Sequence, residues 1–194
     1  IAVAAAQALE RGVARVMIID WDVHHGNGTQ DAFYDLDQVL FVSLHQSPLF
    51  PGSGAASERG AGQGSGYTLN VPLRAGGGDE VYRAVFADVV TPAAEAYQPE
   101  LVLISAGFDA HAADPLANMR VSESGFAGMA RRAREIAETY AEGRMVAFLE
   151  GGYDPPALAR SVVATLAVLD DADSAAELTN FGADAPRSQG DAQK

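Results

Sequence analysis

Four short apolar runs, at 16–19, 39–44, 101–105 and 145–149, divide the chain, and sequence of helical period lies between most of them. Runs of this length without helical period read as strands buried on both faces. Their alternation with helices predicts an α/β domain with a mainly parallel sheet. Ligands collect at the carboxyl ends of such strands. The first run, Val16-Met17-Ile18-Ile19, passes directly into Asp20-Trp21-Asp22-Val23-His24-His25-Gly26-Asn27-Gly28-Thr29. If the extended backbone continues, strand alternation sends Asp20, Asp22 and His24 to one side, and carboxylates that close require a cation or bound protons.

The connecting stretches read as helices. Residues 2–11 are alanine-rich and end at Gly12, and Thr29 is placed to cap a short helix through Tyr34. Asp79 is placed to cap a helix with Val81, Val85, Phe86, Val89 and Val90 on its apolar stripe. Ser122 opens a helix carrying Phe126, Met129, Ala133, Ile136 and Tyr140, with Gly143 as its stop, and Asp154-Pro155-Pro156 opens the last one, running to about Leu169. Residues 47–66 are dominated by Gly, Ser and Pro and read either as a flexible surface loop or as a functional one. Residues 1–172 are expected to form one domain, and 173–194 a polar, mobile tail.

The chain has 13 Lys and Arg against 26 Asp and Glu, a formal charge of −13. That balance excludes broad, direct nucleic-acid binding through phosphates and suits a basic partner such as a lysine-rich peptide. Without cysteine, a transition metal must be held by His, Asp or Glu. No apolar run reaches membrane-spanning length, so no membrane association is expected, and a reducing cytoplasm fits the absence of cysteine. Asp22, His24 and Asp109, each at or just beyond a strand end, form a three-ligand set with an open fourth position. A catalytic zinc needs that arrangement, although iron(II) and cobalt accept the same donors.

Several stretches together resemble the histone deacetylase superfamily: 20–29, Ser43-Leu44-His45, Phe50-Pro51-Gly52-Ser53-Gly54, 66–72, 105–109, Asp114-Pro115-Leu116 and Glu150-Gly151-Gly152-Tyr153. They occur in the family's order over about residues 1–170. The resemblance implies a three-layer arginase-like fold and zinc-dependent removal of acetyl or other acyl groups from lysine. It implies Asp22, His24 and Asp109 as zinc ligands, Tyr153 as the transition-state tyrosine, and Asp20 as the buried aspartate that orients a catalytic histidine. It further implies a structural potassium ion lined by Asp20, Asp22, His24 and Leu44 backbone and by the Ser43 hydroxyl. His25 and Asn27 would stand just outside the metal ligands. Phe50, Leu116, Gly151 and Gly152 would contact substrate.

Asn27 after His-His-Gly resembles the class II and bacterial pattern. Leu116 stands where a polyamine-specific relative carries a glutamate, which favours acyl-lysine over acetylpolyamine. The family's adjacent His-His acid/base pair lies upstream of the metal motif, whereas no histidine precedes Asp20 here. The chain, which begins with Ile1, is therefore expected to be the later part of a catalytic domain and to be inactive alone. Acetylpolyamine or small-amide hydrolysis, an inactive acyl-lysine-binding module and a dimanganese arginase-like enzyme remain the alternative readings, and self-association is left open. His45 and His111 read as structural or surface residues.

Overall fold

The computed structural model describes residues 1–170. Five parallel strands form one sheet in the order β3-β2-β1-β4-β5: β1 Val16–Asp20, β2 Val39–Gln46, β3 Thr68–Leu73, β4 Leu101–Ala106 and β5 Met145–Leu149. Strand β1 is central and buried along its whole length, as its unbroken apolar sequence requires. Side chains alternate between two apolar layers. Met17, Ile19, Val42 and Ile104 face one side, where helices α3 (Asp79–Val85), α4 (Thr91–Tyr97), α5 (Glu123–Tyr140) and α6 (Pro155–Asp170) pack. Val16, Ile18, Phe41 and Leu103 face the other, thinner side, covered by α1 (Ala2–Glu10) and by Phe33 of α2 (Asn27–Phe33). The result is the expected three-layer α/β arrangement.

Local chemistry departs from the sequence reading at three helices. Helix α2 begins at Asn27 with Gly26 before it and no side-chain cap, so Thr29 is its third residue rather than its cap. Asp79 is likewise not a cap: it is the first residue of α3, and its carboxylate accepts from Ser122 N and Oγ, tying α3 to the start of α5. The stripe between 79 and 97 is Tyr82, Phe86, Val90 and Ala94, while Val81 is exposed. A π-helical stretch at Phe86–Val90 separates α3 from α4, and Pro92, with no N–H to donate, sits in the turn that follows. Ser122 does cap α5, accepting from Gly125 N at 3.2 Å, and Asp154 Oδ1 accepts from Ala157 N at 2.8 Å at the start of α6.

The sheet register sets the functional end of the molecule. Asp20 at the exit of β1 is level with Ser43 on β2 and Ser105 on β4, and Asn70 of β3 continues this polar row beside Ser43. Strand β5 closes one edge of the sheet, with Val146 exposed and Leu149 63% exposed. The tail at 173–194 lies outside the described residues.

Candidate metal centre and the surrounding cleft

Strand β1 stops at Asp20, so Asp22 and His24 are brought together by the turns that follow, not by strand alternation. His24 Nδ1 lies 3.1 Å from Asp22 Oδ1 and 3.0 Å from Asp109 Oδ2. One ligand atom from each of the three residues falls within 4.8 Å of the others. The remaining carboxylate oxygens are held by main chain: Val23 N donates to Asp109 Oδ1 at 2.8 Å, and Gly151 N to Asp22 Oδ2 at 2.8 Å. Such outer bonds fix the orientation of ligands around a cation.

Asp109 is fully buried. Burial, and then the neighbouring Asp22, push its carboxyl up to about 7. Burial and Asp22 also hold the Asp20 carboxyl well above the usual range, against the Asp22 N–H that it accepts. Packed, elevated acids facing an imidazole fit a divalent ion, whose charge removes the repulsion. The metal-free fold favours protonated Asp109, a preference that stabilises it fully below the unfolded value near 3.8 and is lost as pH rises through about 7. The thermal midpoint in chelator is therefore expected to fall between about pH 5 and pH 8. Zinc should oppose that fall and Asp109→Asn should reduce it, leaving the share contributed by the buried Asp20; a pH-independent midpoint would contradict the assignment.

Gly151 cannot carry a side chain. A Cβ there would lie 2.1 Å from Asp109 Oδ2 and 2.6 Å from Asp22 Oδ2, so the peptide presses directly on both carboxylates. Two residues on, Tyr153 is 52% exposed. Its phenol is raised above its ordinary value by desolvation and by Asp109, Asp22 and Asp114, and so remains a hydrogen-bond donor. Phe50 is 77% exposed, not tucked onto the core, and its ring stands edge-on to His24 with centroids 6.5 Å apart. Leu116 is exposed on the loop between β4 and α5.

On the other side of the sequence motif, Asp20, Asp22, His24, His25, Ser105 and Glu150 line a cleft of about 270 Å³ that Ile1 also borders. Asn27 is exposed at the start of α2, and its side chain bonds none of the three candidate ligands. His25 is turned away, with Nδ1 2.8 Å from Ser53 Oγ and Nε2 3.0 Å from Gln30 Oε1. The Ser43 hydroxyl pairs with His45 Nδ1 at 2.9 Å, while His45 Nε2 donates to Gly54 O at 3.0 Å. Burial, and then His25, lower His45 to about 4, so it is neutral near pH 7. His111 is buried, accepts from Ala113 N through Nδ1 at 3.0 Å, and stacks on Phe126. All four histidines are therefore in place with partners.

The glycine-rich loop at 47–66 is not a free surface loop. Glu58 accepts from Gln30 Nε2 at 2.7 Å and from Gly54 N and Ala55 N, while its carbonyl accepts from Asn70 Nδ2 at 3.2 Å. The Gln30 amide and these N–H groups hold the Glu58 carboxyl below its ordinary value. Glu58, Gln30 and Asn70 were not singled out from sequence; the available signal was a lone acid inside a Gly/Ser segment.

A model of the histone deacetylase domain matches residues 1–169. This chain belongs to the histone deacetylase family. It is 48% identical over 145 residues to a probable deacetylase of Archaeoglobus fulgidus, covering 75% of this chain and 40% of that protein. It is 47% identical over 154 residues to a histone deacetylase-like amidohydrolase of Pseudomonas aeruginosa, covering 79% of this chain and 40% of that one. The crystal structure of the HDA15 HD domain superposes with a TM-score of 0.82 at 43% identity, covering 88% of this chain and 48% of that domain's chain. The histone deacetylase-family chain thus has the arginase-like deacetylase fold and spans about two-fifths of the length of these curated relatives.

Proposed function

We propose that the protein containing this chain is a zinc-dependent amidohydrolase that removes acetyl or other acyl groups from lysine side chains. The convergence of Asp22, His24 and Asp109 beside a half-exposed Tyr153 carries this reading. When bound there, the ion supplies Lewis acidity toward the acyl carbonyl and toward water. Tyr153 donates its phenolic proton to the oxygen on which charge develops, and its raised pKa keeps that donor available. Asp22 and Asp109 hold the ligand geometry through Gly151 N and Val23 N. Asp20, 2% exposed, lines the cleft beside Asp22 and His24 and is placed to orient a catalytic imidazole that enters it. Phe50 and Leu116 offer exposed apolar surface to an acyl-lysine chain, and the chain's net charge of −13 favours a basic peptide. The apolar Leu116 provides no partner for an internal ammonium, which weighs against acetylpolyamines. A structural potassium ion on the Asp20, Asp22, His24 and Leu44 main chain with Ser43 Oγ is compatible with Ser43 using only its proton toward His45.

Replacing Tyr153 by Phe is the direct test. The variant should bind zinc stoichiometrically and melt as the wild type does, while acetyl-lysine peptide turnover falls about 10²-fold or more, the usual effect of deleting one oxyanion donor. Near-normal turnover would make the tyrosine structural. Tight peptide binding without any wild-type hydrolysis would favour an acyl-lysine-binding module.

A further inference from the structure

Asp114 has so far entered only as one of the acids that raise the Tyr153 phenol, yet it is 7% exposed and its two carboxylate oxygens serve separate segments. Oδ1 accepts from Leu116 N at 2.9 Å, folding the loop back across Pro115, and Oδ2 accepts from Tyr153 N at 2.7 Å. Its own N–H donates to His111 O at 2.9 Å, and the buried His111 is fixed by Ala113 N and Phe126. The anchor is therefore rigid.

The residues it holds are otherwise lightly tethered. Segment 150–154 has no regular secondary structure. On one side Gly151 is clamped by its N–H to Asp22 and by its carbonyl, which accepts from Phe108 N at 2.8 Å. Gly152 follows with φ +141°, a conformation that side-chain-bearing residues rarely adopt. Beyond that pivot, Asp114 is the acceptor for the Tyr153 amide. A phenol 52% exposed gains little placement from packing, so its direction depends on where its amide is pinned.

We propose that Asp114 is the positioning residue for Tyr153, and that it couples the tyrosine's placement over the candidate metal centre to the Leu116 turn. A charged acceptor gives stronger bonds than a neutral one, and two N–H groups need both oxygens. An error of about 1 Å in a catalytic donor costs on the order of 10²-fold. The inference rests on the deacylase reading and deepens it.

The test uses the full-length protein containing this chain, loaded with zinc. Asp114→Ala should keep stoichiometric metal, lower kcat about 10-fold or more with little change in KM, and speed amide hydrogen exchange in a peptide spanning 150–158. Asp114→Asn, which preserves volume, should show the same pattern more weakly, because an amide offers only one acceptor oxygen. In the Tyr153→Phe background, Asp114→Ala should lower kcat less than about 2-fold, since the hydroxyl to be placed is gone. Equal losses in both backgrounds would show a general structural role and overturn the proposal, as would wild-type kcat. Unchanged exchange at 150–158 would overturn it even for a protein without turnover. Absence of wild-type turnover, with exchange altered as described, would instead count against the deacylase reading.

Discussion

The 194-residue chain by itself, folded and zinc-loaded, is expected to hydrolyse an acetyl-lysine peptide at least ~10⁴-fold more slowly than the full-length protein that contains it. The reason is the state of its imidazoles. His24 faces Asp22 and Asp109 through Nδ1, His25 is bonded through both ring nitrogens to Ser53 and Gln30, and His45 through both to Ser43 and Gly54. His111 spends Nδ1 on the Ala113 amide, and its Nε2 lies 3.5 Å from Glu123. With His24 assigned to the candidate metal set and the other three rings held by these partners, the acid and base roles are left without an assigned imidazole in this chain. General acid and general base each contribute roughly 10² to 10⁴ in rate, so the loss of both is multiplicative to a first approximation. Comparable turnover would mean that the proton-transfer groups lie within the chain and that one of these hydrogen-bonded rings is released during the reaction.

The second large effect is on metal content. In the full-length protein, Asp22→Ala, His24→Ala and Asp109→Ala should each abolish stoichiometric zinc, because removing one of three protein donors cripples the site. Gly151→Ala should do the same without deleting any ligand: its Cβ would collide with both carboxylates, and the Gly151 N–H that orients Asp22 would be displaced. Metal analysis after dialysis reads all four. Tight zinc in one of the ligand variants would remove that residue from the set, and tight zinc in Gly151→Ala would show that the 150–154 segment can shift away.

Strand-forming runs and the residues at their exits were legible because apolar content, β-branching and the abrupt change to Asp, His and Gly are local signals. What stayed hidden was relational. Asp22 and His24 converge through turns rather than pleat alternation, and no periodicity announces a turn. Asp79 carries the local signature of a cap but is taken by Ser122, on a different helix. Glu58, Gln30 and Asn70 form their network across three segments distant in sequence, so each alone looks like an ordinary polar residue. Asn27, chosen by motif, faces outward, while Asp114, beside the better-marked Leu116, holds the tyrosine segment.

The candidate centre joins the exits of β1 and β4, and His24 and Asp109 are 85 residues apart in sequence. An ion shared by them is thus also a reversible crosslink that closes a long loop and pins the central pair of a parallel sheet. Long closures cost the unfolded chain the most entropy to reach, so this is where a clip constrains it most. At a free concentration about 100 times its Kd, an ion that binds only the folded form adds about 2.7 kcal/mol. Removing such an ion would then lower the stability of the whole central sheet and not of the site alone.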